Sequence, residues 1–216
     1  MRGSGTRKIL DAAADLLGGT CLGCDRPGVW LCPGCASEIG DSTPAEVSRA
    51  GFPEPIWAAG AYQGALRRLL PAYKDAQAWH LARPLGRLLA SSVSRLGTGA
   101  LLVPLPSSPA SVRHRGDDHM LRLVRSAAAW LEPAPRLARV LSARVHDDQA
   151  GLPASARARN LAHTMSALPG HAEVIVCDDI VTTGASLAEA RRALSQAGYR
   201  IRGAAVVAHA MRRADL

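Results

Sequence analysis

Val174-Ile175-Val176-Cys177-Asp178-Asp179-Ile180-Val181-Thr182-Thr183-Gly184-Ala185-Ser186 is the stretch on which the reading of this chain turns. Val174 to Cys177 is a continuous apolar run of the sort that enters a buried parallel strand, and Glu173 to Cys177 is read as that strand. Two carboxylates then emerge at its carboxyl end, where the ligands of open α/β sheets bind. Asp178 and Asp179 suit hydrogen bonds from sugar hydroxyls, or a hydrated Mg²⁺. The bend Thr182 to Ser186 adds backbone N–H groups, three hydroxyls and a glycine that permits close approach. It opens a helix read over Ser186 to Ala197, whose dipole favours an anion at that end, and a phosphate fits there. The plainer reading of the same residues is a helix cap. Strand, paired acids, hydroxyl-rich bend and helix in one uninterrupted order are more specific than that.

Outward from this segment, strands and helices alternate. Ile56 to Tyr62 reads as a strand, and Gly64 onward as a helix through Leu66, Leu69 and Leu70. A second helix over about 81 to 96 puts Leu81, Leu85, Leu88, Leu89 and Val93 on one face, followed by a short buried strand at Ala100 to Pro104. Met120 to Leu131 is helical and Ile201 to His209 is a last strand. The pattern predicts an α/β fold with a mostly parallel sheet flanked by helices. The polar stretch 37 to 55, with its Pro and Gly, reads as a linker or irregular lead-in. The expected division is residues 1–50 for an amino-terminal module and 51–216 for the main domain.

Composition limits the function. In 216 residues, 48% of them apolar, there is ample material for a buried core, so disorder is not expected. With 4% aromatic residues and one Phe, stacking platforms for unpaired bases are poorly provided. The formal charge of +8 favours acidic partners: nucleic acid, anionic lipid or phosphorylated small molecules. It does not choose among them, and the arginines are dispersed in pairs without a block. No stretch approaches the roughly 20 apolar residues that span a bilayer. Near the start, Ile9, Leu10, Ala13, Leu16 and Leu17 recur at helical spacing ahead of Gly18 and Gly19, while Asp11 and Asp15 interrupt what would be a signal peptide's apolar region. An amphipathic helix packed on the next module, in a cytoplasmic protein, is expected, with a helix lying on a membrane surface as the alternative.

Cys21, Cys24, Cys32 and Cys35 form two C-x-x-C pairs separated by seven residues. Each pair can make a tight knuckle, and two knuckles supply the tetrahedral sulfur shell that zinc prefers at about 2.3 Å. Gly23 and Gly34 would ease those turns. With four cysteines the shell is closed, so the metal's job is to fold a segment too short to hold itself together. Two disulfides are the alternative, suited to secreted domains, and an iron centre on the same sulfurs is another. A redox C-x-x-C would open a helix after a strand, a setting not read here. Cys177 sits in a strand and reads as core packing.

Asp178 to Ser186 after an apolar strand is similar to the phosphoribosyl pyrophosphate motif of type I phosphoribosyltransferases. With the amino-terminal cysteines, the whole chain resembles the ComF family, competence-associated, amidophosphoribosyltransferase-like proteins that join a zinc ribbon to a phosphoribosyltransferase domain. Tyr62 with Gly64, Arg67, Tyr73-Lys74, Val103-Pro104-Leu105-Pro106, Arg115-Gly116, Gln149 with Leu152, and Arg157 with Asn160 agree with that resemblance.

The resemblance implies a type I phosphoribosyltransferase fold and a glycosyltransferase activity on phosphoribosyl pyrophosphate with Mg²⁺. Asp178 and Asp179 would act as the catalytic pair at the ribose hydroxyls and the Mg²⁺ shell. Thr182, Thr183, Gly184, Ala185 and Ser186 would bind the 5′-phosphate, and Lys74, Arg113 and Arg115 are candidates for the pyrophosphate. The stretch Arg139 to Asn160 suits a loop closing over the ligand, or a plain surface loop. A non-catalytic role in DNA uptake, with single-stranded DNA and a competence helicase-type protein as partners, is the other function implied. Two departures stand out. The family tends to read Arg-Gly-Phe-Asn-Gln where this chain has Arg115-Gly116-Asp117-Asp118-His119, and Thr182 stands where hypoxanthine-guanine salvage enzymes commonly carry an aspartate. Purine salvage is therefore disfavoured. The histidines show no zinc-protease spacing, and His119 is assigned nothing beyond polar contacts.

Overall fold

A computed structural model describes residues 19–107, 117–143 and 164–211. The expected amino-terminal helix lies outside them. Their main feature is a five-stranded sheet built from β1 (Ala45–Arg49), β2 (Phe52–Ala61), β3 (Leu101–Pro104), β6 (Glu173–Val181) and β7 (Arg200–His209), in the order β1-β2-β7-β6-β3. Pairing is parallel from β2 through β7 and β6 to β3, and antiparallel only at the β1 edge. A separate small hairpin pairs β4 (Leu141–Ala143) with β5 (Met165–Ala167). The mixed α/β architecture with a mostly parallel central sheet is thus the one the alternation pointed to.

Successive residues of the central strands face opposite sides, as strand geometry requires. Ile175, Cys177, Ala205 and Val207 join one apolar cluster with α2 (Gly64–Lys74), α3 (Ala82–Ser94) and α4 (His119–Ala128). Val174, Val176, Ala204 and Val206 join another with Leu187, Ala190, Ala193 and Leu194 of α5 (Ala185–Gln196). The unbroken apolar stretches 174–177 of β6 and 203–208 of β7 follow, since both faces are covered there. Cys177 is fully buried, its thiol pushed up by that burial, and it is a core residue. No helix among the described residues is long and apolar enough to cross a membrane.

Three sequence expectations need correction. Residues 37 to 55 are not a linker: α1 (Pro33–Gly40), β1 and the start of β2 occupy most of them. Polar residues misled because β1 is an edge strand whose residues are largely exposed, so its sequence lacks an apolar run. The division expected at residue 50 falls in the tight connection between β1 and β2. Strand β6 does not stop at Cys177 but runs to Val181, because Asp178, Ile180 and Val181 continue the ladder with β7. Finally, the four-cysteine segment is not a ribbon of strands. Its described residues hold an isolated bridge between Thr20 and Pro27, and its second cysteine pair opens α1, with Cys32 as N-cap and Pro33 following. No strand precedes that helix directly.

Candidate functional site

The site follows from how β6 outlives its neighbour. β3 pairs with β6 only over Leu101–Pro104 against Val174–Cys177, and Leu105 N–H makes one further bond to the Cys177 carbonyl at 2.9 Å. Beyond that point β3 has turned away while β6 continues along β7, which opens a crevice beside Asp178 and Asp179. This is the sheet-edge position where ligands of parallel α/β sheets collect. The crevice is a cavity of about 470 Å³ whose wall includes Tyr62, Lys74, Ser107, His119, Met165, Asp178, Asp179, Thr182 and Ser186.

Five of the candidate catalytic and binding residues therefore meet at one cavity, namely Lys74, Asp178, Asp179, Thr182 and Ser186, and the matching positions Tyr62, Leu105 and Pro106 line it too. Thr183, Gly184 and Ala185 lie in the same bend but are not in that wall. Arg113 and Arg115 lie outside the described residues, as do the matching positions Gln149, Leu152, Arg157 and Asn160 and most of the stretch 139 to 160.

The two aspartates have different surroundings. Asp179 is 4% exposed and lies between the end of α2 and the start of α4. Its Oδ2 is 3.2 Å from Lys74 Nζ and 3.7 Å from His119 Nε2, while Oδ1 accepts the Ile180 N–H at 2.8 Å. Burial pushes this carboxyl up, but the His119 ring and the Lys74 ammonium outweigh it and hold Asp179 below the usual carboxylate range. Asp178 is half-buried and accepts the Asp179 N–H at 2.9 Å. Burial first, and then the neighbouring Asp179 charge, push Asp178 well above the usual range. The surroundings thus push the two carboxyls apart, Asp179 down and Asp178 up.

The bend beyond β6 is shaped by Gly184, the N-cap of α5, at φ +87°. A side chain there would be strained, and an added Cβ would meet Arg49 Cβ at 2.5 Å. Thr183 Oγ1 accepts the Ala185 N–H at 3.4 Å, so the bend is also braced locally.

Sequence reasoning passed over three contributors. His119 is 3% exposed, places Nδ1 3.2 Å from Ser107 Oγ, and its carbonyl accepts the Tyr73 hydroxyl at 2.7 Å. Its preceding residue explains the departure at 117 to 119: Asp118 caps α4 by accepting the Leu121 N–H at 3.2 Å, and Asp117 pairs with Arg122. Met165 reaches the wall because the buried Glu189 accepts its N–H at 2.9 Å, and Arg192 donates to its carbonyl at 2.7 Å. An acidic residue within a helix gives no local sign of such a task.

The four cysteines form a second candidate centre. The Sγ atoms of Cys21, Cys24, Cys32 and Cys35 all lie within 4.8 Å of one another, and those of Cys24 and Cys32 are 3.6 Å apart. Four ligands at about 2.3 Å from a tetrahedral centre stand roughly 3.8 Å apart, so the spacing of the cluster fits zinc. All four cysteines are free. Burial raises the Cys21 thiol, but the N–H groups of Cys32 and Gly23 outweigh it and lower it to about 6, whereas burial and the neighbouring cysteines push Cys35 up. Gly23 is required, since a Cβ there would meet Cys35 Sγ at 2.7 Å. Gly34 is not: an added Cβ would touch only Cys32 Sγ, at an ordinary 3.9 Å. The cluster joins the core through Cys21, Leu31, Cys35 and Ile39 against Leu66 and Leu69, and Glu38 Oε1 accepts the Ala65 N–H at 2.8 Å to cap α2.

Neither models of protein families nor curated proteins give a match to this chain. The functional reading therefore rests on the residues and their geometry.

Proposed function

We propose that this chain is a ComF-like protein with a type I phosphoribosyltransferase domain, which binds phosphoribosyl pyrophosphate with Mg²⁺ and transfers its phosphoribosyl group. The observation that carries the reading is the convergence of Asp178, Asp179, Lys74, Thr182 and Ser186 on one cavity at the end of β6. In this reading the cavity-facing Asp178 accepts hydrogen bonds from the ribose hydroxyls. The bend Thr182–Ser186 donates backbone and hydroxyl groups to the 5′-phosphate.

Mg²⁺ is the cation this reading calls for, because a cation beside Asp178 would offset its burial and the neighbouring Asp179 charge, which together raise it. Asp178 would hold it together with the ligand's own oxygens, Asp179 being engaged by Lys74. Bound there, Mg²⁺ would offset the charge of the departing pyrophosphate. The bond from the anomeric carbon to pyrophosphate breaks, an acceptor nucleophile bonds to that carbon, and the protein's part is to orient the two and stabilise the leaving charge. The four-cysteine cluster, taken as a zinc site, has a folding role only.

A second reading, ligand binding without transfer in a DNA-uptake component, draws support from Lys74. Its pairing with Asp179 commits to an internal carboxylate a cation that transfer would use on pyrophosphate. Calorimetric titration with phosphoribosyl pyrophosphate and Mg²⁺, followed by a pyrophosphate-release assay with a panel of nucleophiles, separates the two. Binding with release supports transfer, and binding without release supports the second reading. Absence of binding removes both.

A further inference from the structure

Edge strands normally bury apolar residues and expose polar ones, and β1 departs from that at its last residue. Arg49 is its single buried residue, at 7% exposure. Withdrawing a guanidinium from water is costly unless its donors are used, and here they are spent on backbone carbonyls. Nε donates to the Thr182 carbonyl at 2.7 Å, Nη2 to the Ala210 carbonyl at 2.8 Å, and Nη1 to the Ser48 carbonyl at 2.9 Å. One side chain thereby ties the bend after β6 to the residue that follows β7.

We propose that Arg49 is a positioning residue that sets the orientation of the phosphate-binding bend, an inference that rests on the phosphate reading of Thr182–Ser186. A trans peptide is planar, with its N–H opposed to its carbonyl. The bond from Arg49 to the Thr182 carbonyl therefore turns the Thr183 N–H away from β1. Arg49 also packs so closely behind the bend that a Cβ on Gly184 would stand 2.5 Å from its own Cβ. It is not in the cavity wall, whereas Thr182 and Ser186 are. Arg49 thus supports the bend from outside the cavity, and its planar fork reaches three carbonyls at once, which the single ammonium of a lysine does not reproduce.

The test compares the unsubstituted chain with Arg49→Lys and Arg49→Gln, at a temperature where circular dichroism shows all three folded. Inorganic phosphate and phosphoribosyl pyrophosphate with Mg²⁺ are titrated by calorimetry, and the backbone amides of Thr183 and Ser186 are followed by NMR during the phosphate titration. Both variants should bind both probes about tenfold more weakly. The phosphate-induced shift of the Thr183 amide should shrink more than that of Ser186, a difference that a general loss of stability does not produce. If the unsubstituted chain binds and both variants match it within about twofold, the role of Arg49 is overturned and the proposed function stands. If the unsubstituted chain binds neither probe, the phosphate reading falls and the role of Arg49 with it.

Discussion

Lys74 Nζ stands 3.2 Å from Asp179 Oδ2, joining the carboxyl end of α2 to the carboxyl end of β6. The ammonium also complements the negative end of the α2 dipole. Asp179 is held charged while Asp178, its neighbour in sequence, is pushed toward the neutral form. In the proposed function, that asymmetry would let a single strand end present one fixed anion for structure and one adjustable acid for a ligand.

Lys74→Met should destabilise the fold. The carboxylate of Asp179 is buried, but the lysine side chain is 38% exposed, so the cost is discounted to roughly 1–2 kcal/mol at neutral pH. The sign with pH is fixed by the lowered carboxyl of Asp179. Its contribution is present above the unfolded value of about 3.9 and is lost as pH falls below that toward the folded value. Urea denaturation between acid and neutral pH should show a shallower acid-side decline in the variant than in the unsubstituted chain.

Gly184→Ala should lower stability by about 1–3 kcal/mol, because φ of +87° is strained for any side chain and the methyl collides with Arg49. Affinity for phosphate should fall as well, since relief of the collision must move the bend. Paired thermal melts and phosphate titrations check both effects.

The segment Val174–Ser186 was legible because its signal is local: an apolar run, two acids, a hydroxyl-rich bend and a glycine follow one another within 13 consecutive residues. The cysteine spacing was legible for the same reason. Other parts were hidden because they depend on residues far apart in sequence. Arg49 meets Thr182 across 133 positions, and Met165 N–H meets Glu189 across 24. His119 gave no sign of its place beside Asp179, since a lone histidine at a helix start is ordinary. β1 was hidden by the chemistry of edges, where exposure removes the apolar alternation on which strand recognition depends. The continuation of β6 past Cys177 was hidden because aspartates disfavour strands, although β7 supplies the partner that holds them there.

The four-cysteine cluster should contain about one zinc per chain, measurable by mass spectrometry of the purified protein. Cys35→Ser should lose the metal and lower the melting temperature, because Cys35 is 6% exposed and the cluster packs against Leu66 and Leu69 of α2. Iron on the same sulfurs would instead give a coloured protein with visible absorption.

In the proposed function, Asp178 should give ligand binding a pH dependence. Its raised carboxyl keeps a proton to higher pH than an ordinary aspartate does. Any stability from that protonated form is present at low pH and is lost as pH rises through the raised value, the reverse of Asp179. Cation binding requires the carboxylate, so Mg²⁺-dependent affinity should strengthen as pH rises. The slope assigned to Asp178 should vanish in Asp178→Asn, a comparison that removes the ligand's own titration.

The most direct measurement is calorimetric titration of phosphoribosyl pyrophosphate with Mg²⁺ into the unsubstituted chain and into Asp178→Asn. The expected result is saturable, Mg²⁺-dependent binding that weakens at least tenfold in the variant while its melting temperature is kept. Equal affinity in the two proteins, or no binding by the unsubstituted chain, would contradict the assignment of this cavity to a phosphorylated ribose.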